Sequence, residues 1–94
     1  MTRSETLLVV ATEECAETAQ AITKLNRFGN ITHNNSYDVM YEFYQLSAVI
    51  NMLQQEGVLP TMSICDRDKI MNDKVNMVNS YMNHKASIAD NGGV

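Results

Sequence analysis

The sequence predicts an all-α fold of three main helices. Three observations carry it. Apolar residues recur with the helical period in three long stretches. The four glycines and the one proline fall between or beyond those stretches. No β-alternation long enough for a sheet occurs.

The first helix is expected to start near Thr2 to Ser4, where Thr2 and Glu5 have capping-box spacing. It should end near Arg27, with Gly29 just past the end. NITHNNS reads as a polar loop. Ser36 or Asn35 is placed to cap a second helix running to about Glu56, with Gly57 as its stop. VLPTMSI reads as an irregular connection. A third helix should begin near Asp66 to Asp68 and run through about His84. Acid at its start and Lys85 at its end suit the helix dipole. The last residues, ASIADNGGV, read as a flexible tail. The organisation expected is therefore one all-α domain over residues 1–85 and a tail over 86–94.

A chain of 94 residues holds one small domain with a limited core. Three helices of this size leave apolar surface wet, so a core completed by self-association is expected, with dimer and tetramer both open. The net charge is -4 and no basic run occurs, which argues against nucleic-acid binding through phosphates. The longest apolar run is LLVV, too short to span a membrane. MTRSETLL lacks the apolar core of a signal peptide. Cys15 and Cys65 make no disulfide framework, and Cys15 is expected on the apolar side of its helix. Cytoplasm is the compartment these features suggest. The N-x-S/T matches at Asn30 and Asn34 are then chance occurrences.

The acids carry the lead to function. On the first helix Leu7, Val10, Ala11, Cys15, Ala21, Ile22 and Leu25 form one broad stripe. Glu14 falls inside it, Glu17 lies beside its edge, and Glu13 sits further toward the polar side. On the second helix Val39, Phe43, Leu46, Val49, Ile50 and Leu53 form the stripe. Glu42 falls inside it, with Asp38 and Gln45 on the more polar edge. Acidic residues on helices usually form solvated faces, and Glu13 alone fits that description. Glu14 and Glu42 share their sides with Leu, Val and Ile, where an unpaired carboxylate is costly or protonated. Both become inexpensive if they face one cation. An all-oxygen set suits Mg²⁺, or Mn²⁺. His33 and His84 have no ligand spacing to the cysteines, which disfavours zinc; both read as surface residues.

On the third helix Ile70, Met71, Val75, Val78, Tyr81 and Met82 form the apolar side, with Lys74 in its middle. Lys74 is either a snorkelling lysine or a cation aimed at the acids or at a phosphate. Lys24, two turns beyond Glu17, is either a phosphate ligand or a solvated partner for a neighbouring acid.

EECAETAQAITKLNRFG, followed after a loop by EFYQLSAVINML, resembles the MazG-like nucleoside triphosphate pyrophosphohydrolases. That family carries E-E-x-x-E on one helix and E-x-x-D on the next. The first motif is intact as Glu13, Glu14 and Glu17. Arg27, Phe28 and Gly29 resemble the ending found in the small phage and bacterial branch, which for a phage protein places it in the host cytoplasm. In the second motif Glu42 matches, but Gln45 stands where the family has Asp; Asp38, one turn before Glu42, supplies a charge from another angle. The likeness covers roughly residues 5 to 82.

The resemblance implies a four-helix-bundle-like core built from two or more subunits. It implies Mg²⁺-dependent cleavage between the α- and β-phosphates of a nucleotide. The metal set is then Glu14, Glu17, Glu42, Gln45 and Asp38. Glu13 or Glu17 handles the attacking water. Lys24, Arg27 and Lys74 are the candidates for binding phosphate, and Tyr41, Phe43 or Tyr44 for the base. Two other readings stay open. Gln45 favours a relative that binds nucleotides without turnover. Seven methionines favour a helical oligomerisation or adaptor module.

Overall fold

A computed structural model describes residues 1–28 and 31–92, with the side chains of 28, 33 and 86–92 excepted. It is all-helical: α1 Arg3–Phe28, α2 His33–Gln55 and α3 Ile64–Gly92. Gly29, expected just past the first helix, lies outside the described residues. The chain divides into two units, Met1–Pro60 and Thr61–Val94.

In the first unit α1 packs against α2. Thr2 caps α1, its hydroxyl accepting from the Glu5 N–H at 3.1 Å, as the capping-box spacing predicts. α2 starts earlier than expected. Thr32, in extended backbone, is its N-cap and accepts from the Asn35 N–H. Asn35 and Ser36 lie inside the first turn, and the Ser36 hydroxyl donates to the Thr32 carbonyl at 2.6 Å. Among neighbouring hydroxyl and amide side chains, the one that caps is the one whose own backbone leaves the helix.

At the other end Gly57 takes φ +76°. This left-handed residue lets the Val58 N–H reach back to the Leu53 carbonyl at 3.0 Å, closing α2 as a glycine stop does. Leu59 then folds back onto the core.

The half-buried and buried residues of α1 include Ser4, Leu7, Ala11, Glu14, Thr18, Ala21 and Leu25. Those of α2 include Asn35, Val39, Glu42, Leu46, Val49 and Leu53. Both sets alternate steps of three and four, the spacing of a coiled-coil seam. Leu7, Ala11, Val49 and Leu53 are the buried core, with Val10, Ile50 and Met52 against it. The start of α1 thus meets the end of α2, so the helices run antiparallel. An Arg3–Glu56 ion pair at 2.6 Å marks the same end. It is exposed enough to contribute little to stability. Leu53 is 1 % exposed, and Leu53→Ala is expected to cost about 2–5 kcal/mol, read from the midpoint of urea denaturation.

The seam is narrower than the stripes drawn from sequence. Cys15 is exposed, and Ile22 and Phe43 are roughly half exposed. Each lies on a flank of its helix that a single partner helix does not reach.

In the second unit α3 begins at Ile64, two to four residues earlier than expected. Ser63 caps it by accepting from the Asp66 N–H at 3.1 Å. It continues past His84 through Gly92, so the expected tail is helical backbone as far as residue 92. Gly93 and Val94 lie outside the described residues. Lys69 pairs with Asp73 one turn on at 2.8 Å, and the Lys85 ammonium lies 5.7 Å from the Tyr81 ring centre. Ile70, Met71, Val75, Val78, Tyr81 and Met82 are all exposed.

Candidate functional site

Midway along the α1–α2 seam the apolar residues give way to acid. Glu14 and Glu42 occupy seam positions, one from each helix. Glu17 stands one turn after Glu14, on the flank that faces α2. One carboxylate oxygen from each of these three lies within 4.8 Å of the other two. Oε2 of Glu14 and Oε2 of Glu42 are buried and have no hydrogen-bond partner. Two such orphans in one small interface call for a compensating partner.

Proton affinity reports the same crowding. Partial burial raises the Glu14 pKa above the usual carboxylate range, and Glu17 adds repulsion and a shared-proton contact, with Glu13 adding a lesser repulsion. Burial also raises Glu42, followed by a shared-proton contact with Glu17 and repulsion from Glu17, Glu14 and Asp38. In each case desolvation comes first and like charges second.

A groove of about 420 Å³ opens beside the cluster, lined by Glu17, Gln20, Ala21, Lys24, Asn35, Asp38, Tyr41 and Glu42. Helical spacing explains the lining. On α1, Glu17, Gln20 and Lys24 are three and four residues apart; on α2, Asn35, Asp38 and Glu42 are as well. The groove is therefore lined by three acids, Glu17, Asp38 and Glu42, together with Lys24.

Of the residues singled out in the sequence, Glu14, Glu17 and Glu42 come together, and Asp38 and Lys24 line the adjoining groove. Glu13 is exposed on the polar side of α1. Arg27 is exposed in the last turn of α1. Lys74 is exposed on α3, in the second unit. His84 is exposed, as expected; the His33 side chain lies outside the described ones. Gln45, half-buried, lines a second groove with Tyr37, Met40, Tyr41, Tyr44 and Ala48. Tyr41 forms part of both grooves.

Gln20 also lines the groove, and so does Asn35, which the sequence offers only as a helix cap. The signal was present for both: each sits one turn from an acid already identified, on the same flank of its helix.

Three carboxylates of this kind form a hard, all-oxygen donor set. By its chemistry such a set suits Mg²⁺ or Mn²⁺. The two orphaned oxygens are the observation that fits a cation to these residues. The chain matches no family model, no curated protein and no solved structure.

Proposed function

We propose that the chain is a Mg²⁺-dependent nucleotide pyrophosphohydrolase. It cleaves between the α- and β-phosphates of a nucleoside triphosphate or related nucleotide, leaving a monophosphate and pyrophosphate. One observation carries this reading: Glu14, Glu17 and Glu42 converge from two helices with two buried oxygens left unpartnered. The MazG-like motif residues supply the reaction class.

A protein with net charge -4 meets a polyanionic substrate at an acidic site only if a cation reverses the local charge. When bound, Mg²⁺ would supply the positive charge that offsets the phosphates. Glu14, Glu17 and Glu42 would hold it. Asp38, in the groove one turn before Glu42, contributes the charge that Gln45 does not. Glu17 is the most exposed of the three and borders the groove, so it is the carboxylate placed to orient water and take its proton. The water oxygen bonds to phosphorus as the phosphorus–oxygen bond to the leaving group breaks. The Lys24 ammonium offsets the charge that builds on departing pyrophosphate. The exposed apolar residues of α2 and α3 support assembly into a dimer or tetramer, and the whole reading places the protein in the cytoplasm.

The full-length chain incubated with a panel of ribo- and deoxyribonucleoside triphosphates and Mg²⁺ is expected to release pyrophosphate and a monophosphate from at least one of them. Binding without release from any nucleotide favours the second reading, a nucleotide-sequestering protein. The position of Gln45 in the neighbouring groove supports that alternative. Neither binding nor release leaves the helical adaptor.

A further inference from the structure

The unit Thr61–Val94 contains one helix among its described residues, α3. Its start is built locally, by the Ser63 cap. A helix draws most of its stability from covering an apolar side. On α3 that side is bare: Met71, Val75, Val78 and Met82 are 58, 55, 40 and 60 % exposed. These four are spaced by steps of four, three and four residues, the spacing of a coiled-coil seam. Continued by the same steps, the row takes in Asp68 at one end and Lys85 at the other, both exposed. At 1.5 Å per residue it is about 26 Å long. Asn72 and Asn79 flank it on one side. Arg67 and Lys74 flank it on the other, and the Lys74 stem is long enough to carry its ammonium to water.

The order of residues along the row decides what fits it. About a point between Asn76 and Met77, Val75 mirrors Val78, Met71 mirrors Met82 and Asp68 mirrors Lys85. Turned end for end, the row presents valine to valine, methionine to methionine and, at both ends, carboxylate to ammonium. A surface that complements its own copy under two-fold rotation is what an isologous dimer requires. We propose that α3 pairs antiparallel with α3 of a second copy, in the register that brings Asp68 of each to Lys85 of the other. Parallel pairing in register would set Asp68 against Asp68 and Lys85 against Lys85, which like charge disfavours. In the single chain Asp68 makes a loose 3.7 Å ion pair with its neighbour Arg67, and the Lys85 ammonium lies near the Tyr81 ring. Exposed contacts of this kind hold little, so both ends of the row can exchange them for the intermolecular pair. The pairing deepens the assembly part of the reading above, giving it an element, an orientation and a register, and it depends on neither nucleotide nor cation.

Sedimentation equilibrium of the full-length chain over a range of concentrations tests this. Wild type is expected at no less than twice the chain mass. Val78→Glu should weaken the pairing about tenfold or more and halve the assembled mass. Asp68→Lys and Lys85→Asp should each weaken it by a smaller factor, more so at low salt. The double variant Asp68→Lys/Lys85→Asp, which exchanges the two ends, should restore the wild-type value. Circular dichroism shows whether α3 stays helical in each. Should Val78→Glu lose helix, the charge variants at the exposed ends of the row carry the decision. A wild type that is monomeric at every concentration overturns this pairing and the assembly reading together. Assembly that folded Val78→Glu leaves intact overturns the α3 pair alone and points to another face. Single charge variants without effect, or a double variant that fails to recover, overturn the antiparallel register; α3 then lies parallel to its copy or on a different element of it.

Discussion

Mg²⁺ is expected to raise the melting temperature of the metal-free protein by about 10 °C or more at a hundredfold excess over its dissociation constant. Glu14→Gln or Glu42→Gln should abolish most of that rise. The reason lies in the seam. Glu14 and Glu42 stand where a coiled-coil hairpin ordinarily places apolar residues, each with one buried oxygen unpartnered and one carboxylate oxygen within 4.8 Å of the Glu17 carboxylate. Unfolding separates these charges, so without a cation they oppose folding.

The pH dependence follows with a definite sign. Burial and like charge raise both pKa values in the folded state, so the folded protein binds these protons more readily than the unfolded chain does. The stabilising contribution is fully present below the ordinary glutamate value. It is lost as pH rises through the raised folded values. The metal-free melting temperature should fall across that window on account of these two groups. The rise produced by Mg²⁺ should be largest above the window, because the ion needs deprotonated ligands. Glu14→Leu should raise the metal-free melting temperature at neutral pH while removing the response to Mg²⁺. Calorimetric scans of the four proteins at two pH values, with and without Mg²⁺, decide the matter. A melting temperature indifferent to Mg²⁺ in wild type would eliminate the cation from the site.

Glu17→Gln is expected to lower kcat for pyrophosphate release by about a hundredfold or more, the usual effect of losing a positioned base. Glu17 borders the groove and touches the cluster; Glu13 is exposed on the polar side of α1 and belongs to neither. Glu13→Gln should therefore cause the smaller loss. Its influence reaches the site only through repulsion of Glu14. Steady-state kinetics with saturating Mg²⁺ separates a loss of turnover from a loss of ligand. If Glu13→Gln is the more damaging substitution, the roles are exchanged. If neither lowers kcat, a carboxylate base has no place in the reaction.

Much of this geometry is visible along the chain. Glu14 and Glu42 stand out because each interrupts an apolar side, and that pattern depends only on helical period. Gly57 stops α2 because the backbone there needs a positive φ. Other features depend on the partner helix. Cys15 and Ile22 look as apolar as Ala11, yet they are exposed, because one neighbouring helix covers only a narrow seam. Thr32 caps α2 ahead of Asn35 and Ser36, because the turn leading into the helix selects which residue stays outside it. Gln45 follows Glu42 by one turn, but it lies on the flank that opens to a different groove.

The order of residues by itself determined three helices, their breaks, and the two acids set among apolar neighbours, since each follows from local backbone preference and period. Only the antiparallel packing of α1 on α2 decided that those acids meet, that Glu17 joins them, and that Lys24, Asp38 and Tyr41 share one groove. Such encounters join residues far apart in the chain, and their pairing is fixed by how the two seams interlock.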